Sequence, residues 1–200
     1  VITQKKSYEA DIVISNADYH FTETKLLSKN YQTYPENYWK KKTIAPSAFI
    51  LYLGVNKKLP KLEHHNLYLD TDWTLHFESI FNKPAWPDKP SYYVCAPSKT
   101  DKSVAPKGME NLFILVPVAA GLKDTPAIRK KYTDQIIKHL EEIIGEEFKK
   151  NIVYLKTFAH NDFSELYNSY KGSALGLSHT LLQSALFRPG HTSKKVKNLY

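Results

Sequence analysis

At 200 residues, with 42% hydrophobic and 13% aromatic side chains, the chain has enough apolar material for a sizeable core, which excludes wholesale disorder. Its net charge of +8 comes from lysines in short scattered clusters, with no RNP-type, zinc-finger or helix-turn-helix pattern, so no nucleic-acid partner is expected. A single cysteine excludes an internal disulfide framework and fits a reducing compartment, and no apolar run approaches the roughly 18 residues that a membrane-spanning helix needs.

Val1–Lys5 and Tyr8–Ser15 read as strands with a turn at Lys6-Ser7; the β-branched run DIVIS is of the kind buried inside a sheet. Asn16-Ala17-Asp18 breaks that run, and Asp18 is placed to cap a helix reaching Leu27. Tyr34–Lys42 reads as a short helix, Ser47–Val55 as a strand, Asn56–Lys61 as a polar connection and His65–Leu69 as a further strand. His64-His65 invites a metal reading. Adjacent residues of a strand point to opposite faces, however, and no Cys or carboxylate follows at a zinc-like spacing, so no metal site is expected.

Thr71-Asp72 resembles a cap for a helix over Trp73–Phe81 with an apolar stripe of Trp73, Phe77, Ile80 and Phe81. The proline-rich 83–90 segment ends it as an ordered loop anchored by Trp86. Ser91–Ala96 and Asn111–Val118 read as antiparallel strands joined by a long polar connection, and the lone Cys95 reads as a buried small residue without a general base beside it.

The clearest helix runs from Pro126 to Ile144: Asp124 or Thr125 caps it, Pro126 suits the first helical position, Ile128, Tyr132, Ile136 and Leu140 keep helical spacing, and Gly145 stops it. Ile152–Thr157 is another strand, and His160–Tyr167 a short helix capped by Asn161 or Asp162. The stretch YNSYKGSALGLSHTLLQSALFRP (Tyr167–Pro189) stands apart. Gly172 and Gly176 fall four residues apart among small side chains, and an apolar run follows that reads as a helix ending near Phe187. Glycine lets backbone approach a flat partner or take positive φ, so this composition suits the wall of a slot for a large apolar or planar ligand; it equally suits a turn into a core helix.

The same stretch resembles its counterpart in bacterial-type phytoene desaturases, the flavin-dependent enzymes that desaturate carotenoid precursors. ADIVISNADYHF (Ala10–Phe21), APSAFILYLGV (Ala45–Val55), SYYVCAPSKTDKSVAPKGMENLFILVPVAAGL (Ser91–Leu122) and SKKVKNLY (Ser193–Tyr200) resemble that family in the same order. The resemblance implies an α+β fragment: a mixed, largely antiparallel sheet backed by helices forming the substrate domain of a two-domain flavin oxidoreductase, with terminal strands from the FAD domain. Residues 1–27 would return to the FAD-binding domain, 28–165 would form the substrate-binding domain, and 166–200 would face substrate and flavin on the way back. Asn16, Ala17, Asp18, Gly172 and Gly176 would contact the cofactor, and Ser173, Ala174, Leu175 and Leu177 would face the substrate.

The sequence contains no G-x-G-x-x-G, whose helix N-terminus holds the pyrophosphate of FAD, so FAD is expected in the longer parent and not in this piece alone. The missing N- and C-terminal parts of the parent are then partners, together with a long phytoene-like isoprenoid and the membrane surface from which it is drawn; the location expected is cytoplasmic and peripherally membrane-associated. Few catalytic side chains are expected, because the cofactor carries the redox chemistry. His20, His160 and His179 are candidate acid/base helpers, each also explicable as a cap or surface residue. Arg188 is a candidate for steadying the glycine turn, for binding a phosphate or carboxylate, or for a surface ion pair. Two rival readings stay open: a non-enzymatic polyene- or lipid-binding module, and a flavin oxidoreductase of the same superfamily acting on amines, retinoids or another isoprenoid.

Overall fold

A computed structural model describes residues 1–69 and 72–200. Its centre is an antiparallel sheet in the order β2-β3-β4-β1-β5, with β1 Ser47–Val55, β2 His65–Tyr68, β3 Tyr92–Cys95, β4 Glu110–Val118 and β5 Ile152–Phe158. The expected α+β architecture is present, and every strand pair of this sheet is antiparallel. The single parallel pairing among the described residues is a bridge between Val13 and Leu199, which brings the two terminal segments together outside the sheet.

The middle strands show how sequence becomes a layer. β4 alternates strictly, sending Leu112, Ile114, Val116 and Val118 inward, as a strand with one packed face must. Its partner β1 is buried along almost its whole length because it packs on both faces, Phe49, Leu51, Leu53 and Val55 in the main core and Ala48 and Ile50 on the other side, and Leu51 sits opposite Ile114. The helix α4 (Pro126–Ile144) covers the inward face with Tyr132, Ile136, Ile137, Leu140 and Ile144, and these join the strand residues in one core. Burying each such side chain contributes about 1.5–3 kcal/mol. The Thr125 hydroxyl accepts from the Ile128 N–H at one end of α4, and Gly145 closes the other in the left-handed region (φ 62°). Ala48, Ile50 and Phe158 form a smaller cluster on the opposite face with Phe163 of α5 (His160–Tyr167).

Several expectations are corrected. The first fifteen residues make isolated bridges rather than strands: Ile2 pairs with Ser7 across a turn at Thr3–Lys6, and Val13 with Leu199. A strand needs a neighbour along its length, and these segments meet one only locally. The Asp18-capped helix is a single α-turn, α1 (Tyr19–Phe21), continued as a π-turn over Thr22–Leu26, and the 34–42 helix shortens to α2 (Glu36–Trp39). α5 is preceded by Ala159, whose N–H is held by the Asp162 carboxylate, so Asp162 acts from inside the helix.

The largest departure is at 172–187, which is not a helix but a chain of 3-10 turns (Tyr170–Gly172, Leu181–Gln183, Ala185–Phe187). Ser173 and Gln183 bond the backbone of Ala45 and Thr43 instead of permitting a regular helix. Thr71 lies outside the described residues; Asp72 caps α3 (Trp73–Phe81) through the Thr74 N–H. The apolar stripe of α3 does not enter the core: Trp73, Phe77 and Phe81 are exposed, and the buried residue of the helix is His76, outside the stripe, which accepts from the Ser91 N–H and donates to the Pro117 carbonyl.

Candidate functional site

A cavity of about 920 Å³ opens where segments from opposite ends of the chain meet. Its first wall is the turn Asn16-Ala17-Asp18. One Asp18 oxygen accepts from the Phe21 N–H (3.0 Å), fixing the start of α1, and the other accepts from the Tyr170 N–H (3.3 Å), so a single carboxylate ties the N-terminal turn to the 170 loop.

The second wall is Ser173–Leu177, laid along the segment that enters β1. The Ser173 hydroxyl donates to the Ala45 carbonyl (2.9 Å) and accepts from the Leu175 and Gly176 N–H groups, while the Ala45 N–H donates to the Gly176 carbonyl and Ile44 bridges to Leu177. Buried Gln183 both accepts from and donates to the Thr43 backbone, and Arg188 donates to the Leu177 carbonyl at 3.3 Å. Of the roles considered for Arg188, steadying this turn is the one its geometry performs. Side-chain-to-backbone bonds therefore hold an irregular loop in one conformation, work that secondary structure does elsewhere.

The third wall is aromatic. His20 stacks on Tyr170 (centroids 3.9 Å) and meets Trp39 edge-on, as does Tyr19 at 5.6 Å; all four rings line the cavity. His20 Nε2 pairs with the Glu36 carboxylate at 2.8 Å, so this histidine is held by an acid. Burial, with Tyr34 and Glu23 nearby, pushes the Tyr19 phenol well above its ordinary range, so it stays neutral. A neighbouring cavity of about 390 Å³, reaching Ile14 and Tyr200, shares Ala17, Tyr19, Arg188 and Pro189 with the larger one.

Of the residues expected at cofactor or substrate, Asn16, Ala17, Asp18, Ser173, Ala174, Leu175, Gly176 and Leu177 all line this cavity. Gly172 does not. Its φ of +60° turns it toward α5, and a β-carbon there would stand 2.6 Å from the His160 carbonyl oxygen, so the glycine is required by backbone packing. Gly176, by contrast, has positive φ and nothing within 4 Å of a β-carbon position. His160 is buried, donates from Nε2 to the Ala119 carbonyl and lies outside the cavity lining, as does exposed His179. Of the aromatic wall only His20 stands out in the sequence; Tyr19, Trp39, Tyr170 and Gln183 do not, since nothing in local spacing shows that positions 19, 39 and 170 converge.

The remaining histidine expectation also changes. His64 precedes β2 in a bend, so its ring lies beside that of His65 (centroids 4.2 Å) instead of on the other face.

No protein-family model matches the chain. Curated relatives do. It is 50% identical over 190 residues to the carotenoid 3,4-desaturase of Haloarcula japonica, covering 95% of this chain. It is 32% identical to the phytoene desaturase of Fusarium fujikuroi over the whole chain, and 33% identical to the lycopene-forming phytoene desaturase of Pantoea ananas over 94% of it. The chain spans 38%, 38% and 39% of the lengths of these relatives. Their names do not favour a non-enzymatic binding module. With such similarity running along nearly every residue that builds the sheet and the cavity, the chain belongs to the carotenoid and phytoene desaturase family.

Proposed function

We propose that this chain forms the substrate-holding part of a FAD-dependent desaturase that introduces C=C bonds into a carotenoid precursor. The observation that carries the reading is the meeting of 16–18 and 173–177 around one cavity: two segments distant in sequence that share its lining with four aromatic rings. A volume of about 920 Å³ is at the upper end for ligand sites. The open space at Gly176 and the small side chains of Ala17 and Ala174 leave clearance for a flat ring, so the residues present fit a flavin edge.

Asn16 to Asp18 and Gly176 would hold the flavin ring, and Ser173, Ala174, Leu175 and Leu177 would face the hydrocarbon. When bound, FAD supplies the two-electron acceptor that side chains lack. This chain's contribution is to orient the polyene, keep water out and hold the turn rigid through Asp18, Ser173, Gln183 and Arg188. In this reading 1–27 and 166–200 lead toward the flavin-binding part and 28–165 form the substrate domain.

Exposed Leu181, Leu182, Leu186 and Phe187, which lie in the chain between the cavity residues Leu177 and Arg188, and Trp73, Leu75 and Phe77 on α3, support docking on a membrane surface from which an isoprenoid enters. Among the described residues no helix is long and apolar enough to cross a membrane. The higher identity to a carotenoid 3,4-desaturase favours a carotenoid desaturated at that position over phytoene. The test is to supply the complete protein with FAD and with phytoene or an acyclic carotene in liposomes, and to follow the polyene absorption. Lengthened conjugation supports the reading; no product with any electron acceptor overturns it. The isolated chain, lacking a dinucleotide fingerprint, is expected to elute without stoichiometric flavin.

A further inference from the structure

On the far edge of the sheet, away from the cavity, the fold assembles three metal-ligating side chains that the sequence separates. β2 and β3 pair so that His65 lies directly opposite Cys95. Directly opposed residues of an antiparallel pair share a face with their β-carbons about 5 Å apart. The Ala96 N–H donates to the His64 carbonyl (2.8 Å), which pins the bend before β2 and keeps the His64 ring beside that of His65.

One nitrogen from each ring and the Cys95 sulfur lie within 4.8 Å of one another, the only such cluster among the described residues. Each ring has its Nδ1 in a hydrogen bond with a hydroxyl, His64 with Thr100 and His65 with Tyr93. Hydrogen bonds to the second nitrogen are how ligating imidazoles are commonly oriented.

We propose that His64, His65 and Cys95 form a binding site for a borderline divalent cation of the zinc class, fastening edge strand β2 to β3. Two imidazoles and a thiol suit zinc, whereas magnesium and calcium require oxygen donors. Tetrahedral zinc would hold nitrogen and sulfur ligands roughly 3.3–3.6 Å apart. Exposed His65 and half-buried His64 and Cys95 can close that gap by side-chain rotation. Cys95 would lose its proton on binding, and water would take the fourth position. The inference is independent of the desaturase reading, because none of the three residues lines the cavity.

The experiment uses the complete protein stripped of metal by chelation and titrated with Co²⁺ as a spectroscopic stand-in. Expected are tetrahedral d–d bands with a thiolate-to-cobalt charge-transfer band, displacement of the cobalt by Zn²⁺, and a rise in Tm with zinc. Cys95→Ser abolishes the charge-transfer band and the zinc-dependent rise. His65→Ala, at an exposed position whose truncation spares the core, weakens binding at least tenfold and keeps the proposal testable should the cysteine variant fold poorly. Absence of the charge-transfer band in the parent overturns the site, as does a band that survives Cys95→Ser, or an affinity unchanged in His65→Ala.

Discussion

The carbonyl oxygen of His160 lies 2.6 Å from where a β-carbon on Gly172 would stand, and the His160 Cα only 2.8 Å away. Helix α5 and the loop that follows it therefore touch backbone to backbone, and the loop can reach the cavity only because residue 172 has no side chain. Gly176 shares the left-handed conformation, with φ +75°, but has open space around it. Gly172→Ala is accordingly expected to cost about 2–4 kcal/mol, strain and overpacking together, and Gly176→Ala about 1–2 kcal/mol from conformation alone. Unfolding midpoints of the two variants in the complete protein check this; equal costs would show that the close approach at 172 does not matter.

A second prediction concerns Glu110 at the start of β4, which is 1% exposed. Burial pushes its carboxyl up, but the Ser98 hydroxyl and the Lys99 ammonium (3.2 Å) outweigh that and hold it below the usual carboxylate range. Because the folded-state value is depressed, the stabilisation is complete above the ordinary carboxylate range and is lost as pH falls through the folded value. Glu110→Ala removes the counter-ion of Lys99 and the acceptor of the buried Ser98 hydroxyl and should cost about 3 kcal/mol, whereas Lys58→Ala, removing a half-exposed cation at 3.5 Å, should cost under about 1 kcal/mol. Parallel denaturant titrations of the two variants at neutral pH separate these outcomes.

What could be read in advance was whatever depends on neighbours in sequence. The cap at Thr125, Pro126 in first place and left-handed Gly145 mark both ends of α4, and alternation marks β4, without reference to anything distant. The failures share the opposite property. DIVIS has strand composition but pairs only briefly with the last residues, through Val13 and Ser15. The 172–187 segment has helical spacing of apolar residues, but Ser173 and Gln183 bind backbone more than a hundred residues away, and Leu186 is left 96% exposed. The rule that strand neighbours point to opposite faces does not reach His64, which lies in the bend before β2, and the convergence of both rings with Cys95 depends on strand register. The cavity was legible only in part: its small-residue walls followed from family resemblance, while its aromatic wall comes from packing that no local pattern encodes.

The buried imidazole of His160 yields a pH dependence. Desolvation lowers its basicity more than the Ala119 carbonyl and the nearby Asp124 raise it, so it folds neutral. The unfolded chain therefore binds the extra proton first: stability is full at pH above the ordinary histidine value of about 6.5 and declines as pH falls through it toward the lowered folded value. His160→Gln keeps an N–H donor for Ala119 but cannot ionise, so its melting temperature should fall less between pH 7 and pH 5 than that of the parent. Identical slopes would remove His160 from the account.

The cavity itself can be tested by filling it. Ala174 is exposed on the cavity wall, and its backbone N–H is already committed to the Pro46 carbonyl. Replacing it with tryptophan adds an indole to open space without touching the core, so the melting temperature should change little, within the roughly 0.5 kcal/mol typical of surface substitutions. If the cavity admits the flavin edge and the polyene, Ala174→Trp lowers desaturation by the complete protein at least tenfold. Lys138→Trp, on the solvated side of α4, lies outside the cavity lining and should leave turnover unchanged. Carotenoid product measured for both variants and the parent decides the matter: full turnover in Ala174→Trp would mean that the reaction takes place elsewhere.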